Sequence, residues 1–170
     1  MRRVSTPADR IVVVGAGCSA LISELVGDGY ESITAVDISA VALDQLRLTL
    51  GDRAASVDQV VTDVCNFVAP EPYAVWQDRA TFHFLTTPDQ QKRYVERAAA
   101  SVRTGGHLVL SGFAADGPLQ CSGLDVARHT IDDLVELFGA AFELVEHMSV
   151  EHTTPWNTTQ SFLYSLFRRR

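Results

Sequence analysis

The sequence lacks any apolar run approaching the roughly 20 residues of a membrane-spanning helix, so no helical membrane span is expected. No secretory leader is expected either. The opening MRRVSTPADR has two arginines but no apolar stretch before Asp9 and Arg10, and a cytoplasmic location is the expectation. Cysteine is scarce: Cys18, Cys65 and Cys121 are widely separated and form no C-x-x-C pair, which argues against a disulfide framework and against a metal site. Basic residues are in the minority, 14 Lys plus Arg against 21 Asp plus Glu, for a net charge of −7. That balance opposes binding to a phosphate backbone or an anionic membrane, so neither nucleic acid nor membrane is an expected partner. The basic runs Arg2-Arg3 and Arg168-Arg169-Arg170 read as solvated tails. Internal repeats, low-complexity stretches and Gly/Ser linkers are missing too, which fits residues 1–170 as one continuous domain.

What is present suits a soluble globular chain. Its 170 residues match a typical domain of about 100–200. Its composition, 46% hydrophobic and 21% charged, can supply a core.

The dominant pattern is alternation. Ile11-Val12-Val13-Val14 has the β-branched character of a strand buried on both faces, and it ends at Gly15. A helix capped by Ser19 follows, with Leu21, Ile22, Leu25 and Val26 at helical spacing. A second strand, Ile33 to Val36, ends at Asp37, and Ser39 caps a second helix running to Leu50. Val57 to Thr62 reads as a third strand and Ala74 to Gln77 as a fourth. Thr87-Pro88 opens a helix that runs to Val102, because proline at the first helical position gives up a donor that has no partner there anyway. His107 to Phe113 is the fifth strand, and Thr130 caps a last helix. Two strand-like runs close the chain, Phe142 to Val150 and Gln160 to Phe167. Their short connection forces them to pair antiparallel, since a parallel crossover needs a dozen or more residues. The expected architecture is α/β: a Rossmann-like, doubly wound, mostly parallel seven-stranded sheet with a C-terminal antiparallel hairpin.

In such a sheet ligands lie beyond the carboxyl ends of the strands. The residues there are Gly15-Ala16-Gly17, Asp37, Asp63 and Asp78. Glycines at 15 and 17 permit a sharp turn and close approach of a ligand to backbone amides. Asp37 can accept hydrogen bonds from both hydroxyls of a ribose. Asp63 can take the exocyclic amine of an adenine while the next backbone amide, at Val64, meets a ring nitrogen. Acids at consecutive strand tips point to adenosine.

With these residues in view the sequence resembles the class I S-adenosylmethionine-dependent methyltransferases. The glycine loop Val14-Gly15-Ala16-Gly17-Cys18-Ser19, the ribose acid Asp37 and the adenine-side acid Asp63 carry the likeness. Trp76-Gln77-Asp78-Arg79-Ala80-Thr81-Phe82-His83-Phe84-Leu85 resembles a segment of a small, mostly bacterial subgroup, and Gly117 to Leu124 and Thr154-Pro155-Trp156 resemble its later signatures. The resemblance implies S-adenosyl-L-methionine as cofactor, held by Gly15, Ala16, Gly17, Asp37, Ile38, Asp63, Val64 and Asp78, the last meeting the cofactor's ammonium. It implies in-line methyl transfer to a small-molecule acceptor. Arg79, His83, Cys121, Arg128 and Trp156 are the candidates for the acceptor pocket, with His129 beside them and His83 the one candidate to take a proton.

The sequence departs from the family pattern at Val13, where an acid is usual, and at Ser19, where a third glycine is usual. Only ten residues precede the first strand, so the family's N-terminal lid is expected to be absent and the pocket open on one side. Two alternatives stay open. One is a weakened or inactive methyltransferase-like binding or scaffold protein, with a partner or homodimer surface at an uncovered crevice edge. The other is an NAD-binding domain, because Gly15-x-Gly17-x-x-Ala20 followed by Asp37 also fits the dinucleotide fingerprint.

Overall fold

β-Branched runs bounded by glycine, aspartate and proline become strands, and the segments between them that start at Ser or Thr caps become helices. In the computed structural model, which describes residues 1–17, 19–153 and 159–170, the order is β1 (Ile11–Val14), α1 (Ala20–Gly27), β2 (Ile33–Asp37), α2 (Ala40–Leu50), β3 (Val57–Val61), β4 (Tyr73–Arg79), α3 (Pro88–Ser101) and β5 (Val102–Phe113). There follow β6 (Gln120–Cys121), β7 (Leu124–Asp125), α4 (Ile131–Phe138), β8 (Phe142–Thr153) and β9 (Thr159–Arg169). The cap chemistry is explicit. Ser39 Oγ accepts from the Ala42 amide, and Thr87 with Gln90 and Thr130 with Asp133 form reciprocal capping boxes.

Seven strands form one sheet in the order β3-β2-β1-β4-β5-β9-β8. The first five are parallel, and β9 runs antiparallel between β5 and β8. The doubly wound sheet with its closing hairpin is therefore as the spacing predicts. Side chains alternate across the strands. Ile11 and Val13 face α1 and α2 with Ile33, Ile22 and Leu43, while Val12 and Val14 face α3 and α4 with Trp76, Tyr94 and Phe138. Strand order reverses between β1 and β4, which opens the crevice at their carboxyl ends.

Three local readings need correction, and one small hairpin lies outside the expected order. β4 continues two residues past Gln77, because Asp78 and Arg79 find partners in Leu110 and Ser111 of β5. β5 starts at Val102, directly after α3, and takes in Gly105-Gly106. A β-carbon at Gly106 would stand 2.8 Å from the Ala74 carbonyl, so glycine is what lets these strands approach. The segment after β5 folds into the small β6–β7 hairpin, with Ser122 (φ 53°) and Gly123 (φ 80°) at its turn. The arginines at the two ends are docked and not loose tails. Arg2 pairs with Asp28 and Arg3 with Glu146, and the Arg169 guanidinium donates to the carbonyls of Ala99 (3.0 Å) and Ala141 (2.9 Å). Among the described residues no helix is long and apolar enough to cross a membrane.

Candidate functional site

Gly15 sits at the tip of β1 with φ +58°, a conformation that L side chains adopt at a cost. The Thr81 hydroxyl from the turn after β4 fills the space a β-carbon would occupy there, and it donates to the Val14 carbonyl at 3.3 Å. The strand-tip turns of β1 and β4 are thus locked together at the reversal point. Ala80, between them, has φ 65°, a left-handed position that is strained for a residue other than glycine.

Around this junction lies a cavity of about 600 Å³. That size is within the usual range for small-molecule and cofactor sites, about 300–1,000 Å³. Gly15, Asp37, Ile38, Asp63 and Val64 all line it, so five of the residues expected to hold a nucleoside converge on one space. The Asp37 carboxylate accepts from the Gly17 amide (2.8 Å) and the Ser39 amide (2.8 Å), one on each oxygen. A carboxylate offers about four lone-pair sites, so two amides orient it and leave capacity for two further donors, as a vicinal diol supplies. Asp63 Oδ1 accepts from the Cys65 amide at 2.8 Å, which holds that side chain at the end of β3. Cys65 itself is buried, and burial together with the Asp63 charge pushes its thiol up to about 11, so it is an inert neighbour.

Two residues of the glycine loop stand behind the wall. Ala16 is buried and its amide donates to the Val36 carbonyl, and the Gly17 amide is engaged by Asp37. Neither amide is free for a phosphate.

Asp78 does not reach the cavity. It is fully buried, and its oxygens accept from the amides of Thr81 (2.8 Å) and Phe82 (3.0 Å) and from the Tyr94 hydroxyl (2.5 Å), which in turn accepts from Trp76 Nε1 at 2.9 Å. Burial raises its pKa to about 6 against the pull of those three donors. The two extra residues of β4 carry this carboxylate inside, where it shapes the turn that carries Ala80 and Thr81.

The acceptor-side candidates separate. His83 is buried on the far side of the Phe82–Phe84 turn and faces a different cavity. Arg79 is exposed, Arg128 is pinned to the Gly117 carbonyl (3.1 Å), and Cys121 is a half-buried free thiol in β6. Trp156 and Cys18 lie outside the described residues. Three His, Cys, Asp or Glu side chains in metal-binding proximity do not occur among the described residues.

Sequence reasoning missed Thr81, Gln90, Leu124 and Asp125, which also line the large cavity. Leu124 and Asp125 belong to the β6–β7 hairpin, so the segment after β5 supplies part of the cavity wall. The Ser122-Gly123 pair is the signal that marks that hairpin in the sequence.

No family model matches this chain. The mouse eEF1A lysine and N-terminal methyltransferase is 28% identical over 115 residues, which is 64% of this chain and 16% of that protein. The match therefore spans about a sixth of the relative's length. A solved S-adenosylmethionine-dependent methyltransferase from Methanosarcina mazei superposes with a TM-score of 0.82 at 14% identity, covering 99% of this chain and 95% of that one. The 1,6-didemethyltoxoflavin-N1-methyltransferase of Burkholderia thailandensis, solved with bound 1,6-didemethyltoxoflavin and S-adenosylhomocysteine, gives a TM-score of 0.74 at 23% identity over 95% and 71% of the two chains. The chain has the fold of the class I S-adenosylmethionine-dependent methyltransferases.

Proposed function

We propose that this chain is an S-adenosylmethionine-dependent methyltransferase that methylates a small-molecule acceptor. One observation carries the reading: Gly15, Asp37, Ile38, Asp63 and Val64, from three strand tips, line a single cavity of about 600 Å³. Asp37 takes the ribose hydroxyls, Asp63 and the Val64 amide take the adenine edge, and Ile38 covers its face. The methionine end lies toward Gly15, Ala80 and Thr81. Bound there, the cofactor supplies a sulfonium methyl, and transfer is an in-line displacement. The chain's part is to hold the reactants in line and exclude water.

The Trp76–Leu85 segment supports membership of the small bacterial subgroup that it resembles. A small-molecule acceptor is supported by the toxoflavin enzyme, whereas the mouse relative's name describes transfer to a protein. Net charge of −7 supports a protein without a nucleic-acid partner.

Calorimetric titration with S-adenosylhomocysteine and NAD tests the reading. S-Adenosylhomocysteine is expected to bind saturably and to lose at least tenfold in affinity, about 1.4 kcal/mol, in Asp37→Ala. Binding of NAD alone would overturn the reading in favour of a dinucleotide domain, and binding of neither in favour of a scaffold.

A further inference from the structure

The two edges of the main sheet differ sharply in length. β3 closes one side with five residues, whereas β8 closes the other with twelve, Phe142–Thr153. Among the described residues no strand lies beyond β8, and residues 145–153 are all exposed. An uncovered edge presents unpaired amides and carbonyls, and chains that stay single blunt such edges with lysine, proline or a bulge. β8 holds neither lysine nor proline. Its one irregularity, at Val145, breaks the register between Leu144 and Glu146 and leaves residues 146–153 in regular pairing with β9.

That regular stretch is complementary to itself. Residues 146–152 read Glu-His-Met-Ser-Val-Glu-His. When a strand pairs with its own copy across a twofold axis perpendicular to the sheet, the two run antiparallel. Opposed residues then share a face and lie equally far on either side of one central residue. Centred on Ser149, Glu146 faces His152, His147 faces Glu151 and Met148 faces Val150, each pair occurring twice by symmetry. A histidine donates a ring N–H to a carboxylate whether it is protonated or neutral. The adjacent registers lose every one of these Glu–His pairs. Centred on Met148, Glu146 faces Val150 and Glu151 faces Val145; centred on Val150, Glu151 faces Ser149 and His152 faces Met148.

The apolar positions favour the same register. Met148 is 59% exposed and Val150 37%, opposite Tyr164 and Phe162 of β9. Around the axis, Met148 and Val150 of the two copies cover one another. Arg3 binds both oxygens of Glu146 at 2.9 Å, and the Glu146 side chain stays 48% exposed, open to a further donor.

We propose that β8 joins a second copy of this chain edge to edge, antiparallel and centred on Ser149, so that two seven-stranded sheets become one continuous sheet. The occupant is a second copy because this strand carries its own complement, acid for histidine and methionine for valine, in a single register that a closed twofold pairing satisfies at once. The bulge at Val145 ends the pairing by bending the strand away. No residue of β8 lines the large cavity, so the contact is separate from the crevice and does not rest on the methyl-transfer reading.

Sedimentation velocity of the full chain, from about 1 to 200 μM, tests this and is expected to show a reversible equilibrium between monomer and dimer. His147→Glu sets acid against acid at Glu151 and is expected to weaken the dimer about tenfold, whereas adding Glu151→His exchanges the two partners and restores it. Both positions are exposed, and an unchanged melting temperature checks that each variant is folded. In the wild-type chain, hydrogen exchange at the amides of residues 146–152 is expected to slow as concentration rises while the β3 edge stays constant, which decides the matter without any variant. A chain that is monomeric throughout, a dimer indifferent to His147→Glu, a double variant that does not recover, or slowing confined to another surface overturns the inference.

Discussion

The Thr81 hydroxyl occupies the space that a β-carbon on Gly15 would fill, and the same oxygen reaches the Val14 carbonyl at 3.3 Å. This contact joins β1 to the turn after β4 at the point where strand order reverses, so the cavity wall and the sheet share one lock.

Gly15→Ala is expected to destabilise the fold by about 2–3 kcal/mol, combining left-handed strain with the clash. Thr81→Gly should recover part of the loss, since it removes the clash and leaves the strain. Urea unfolding of the two single variants and the double variant measures the coupling. Additive effects would mean that the two residues do not compete for the same space.

Asp78 and His83 make opposed contributions to pH dependence. Asp78 titrates in the folded chain at about 6, above its ordinary 3.8, so the folded state holds the extra proton and stability falls as pH rises from about 4 to 6. His83 titrates at about 4, below its ordinary 6.5, so the unfolded state holds the proton and stability falls as pH drops from about 6.5 to 4. Each amounts to about 3 kcal/mol by the linkage relation, with opposite signs in nearly the same window. Asp78→Asn should leave a profile that rises with pH between 4 and 6.5, and His83→Gln one that falls between 4 and 6. Parallel slopes in the two variants, from urea unfolding across pH, would contradict the assignment.

Tyr94→Phe removes a donor from a fully buried carboxylate and leaves the packing of the ring against Trp76 and Phe82. A loss of about 1–3 kcal/mol at pH 7 is expected. The loss should shrink toward pH 4, where Asp78 is protonated. A pH-independent loss would assign the effect to packing.

Gly123→Val places a β-branched residue at φ 80° in the β6–β7 turn, which it cannot adopt without strain. The hairpin lies outside the main sheet, so the melting temperature should change little while Leu124 and Asp125 leave the cavity wall. S-Adenosylhomocysteine affinity is expected to drop about tenfold. Unchanged affinity would show that the hairpin does not contribute to the site.

Much of the site was legible before any tertiary contact was known. Gly15, Asp37 and Asp63 are found where a β-branched run stops, and such endings are local facts of the chain. The place of Asp78 is not legible locally, because the end of β4 is set by partners in β5, residues 110 and 111, which lie far along the sequence. Two more residues of pairing turned a strand-tip acid into an interior one.

Periodicity and caps, being local, determined the order of the helices and main-sheet strands, the closing hairpin and the acids Asp37 and Asp63 at the ends of β2 and β3. Side-chain packing between distant segments decided the rest: the burial of Asp78 against Tyr94, the hairpin that walls the cavity, and the seating of His83 beside Ser111 in a space of its own. A strand's two faces follow from its alternation alone, but what stands opposite each face depends on how elements separated by tens of residues come together.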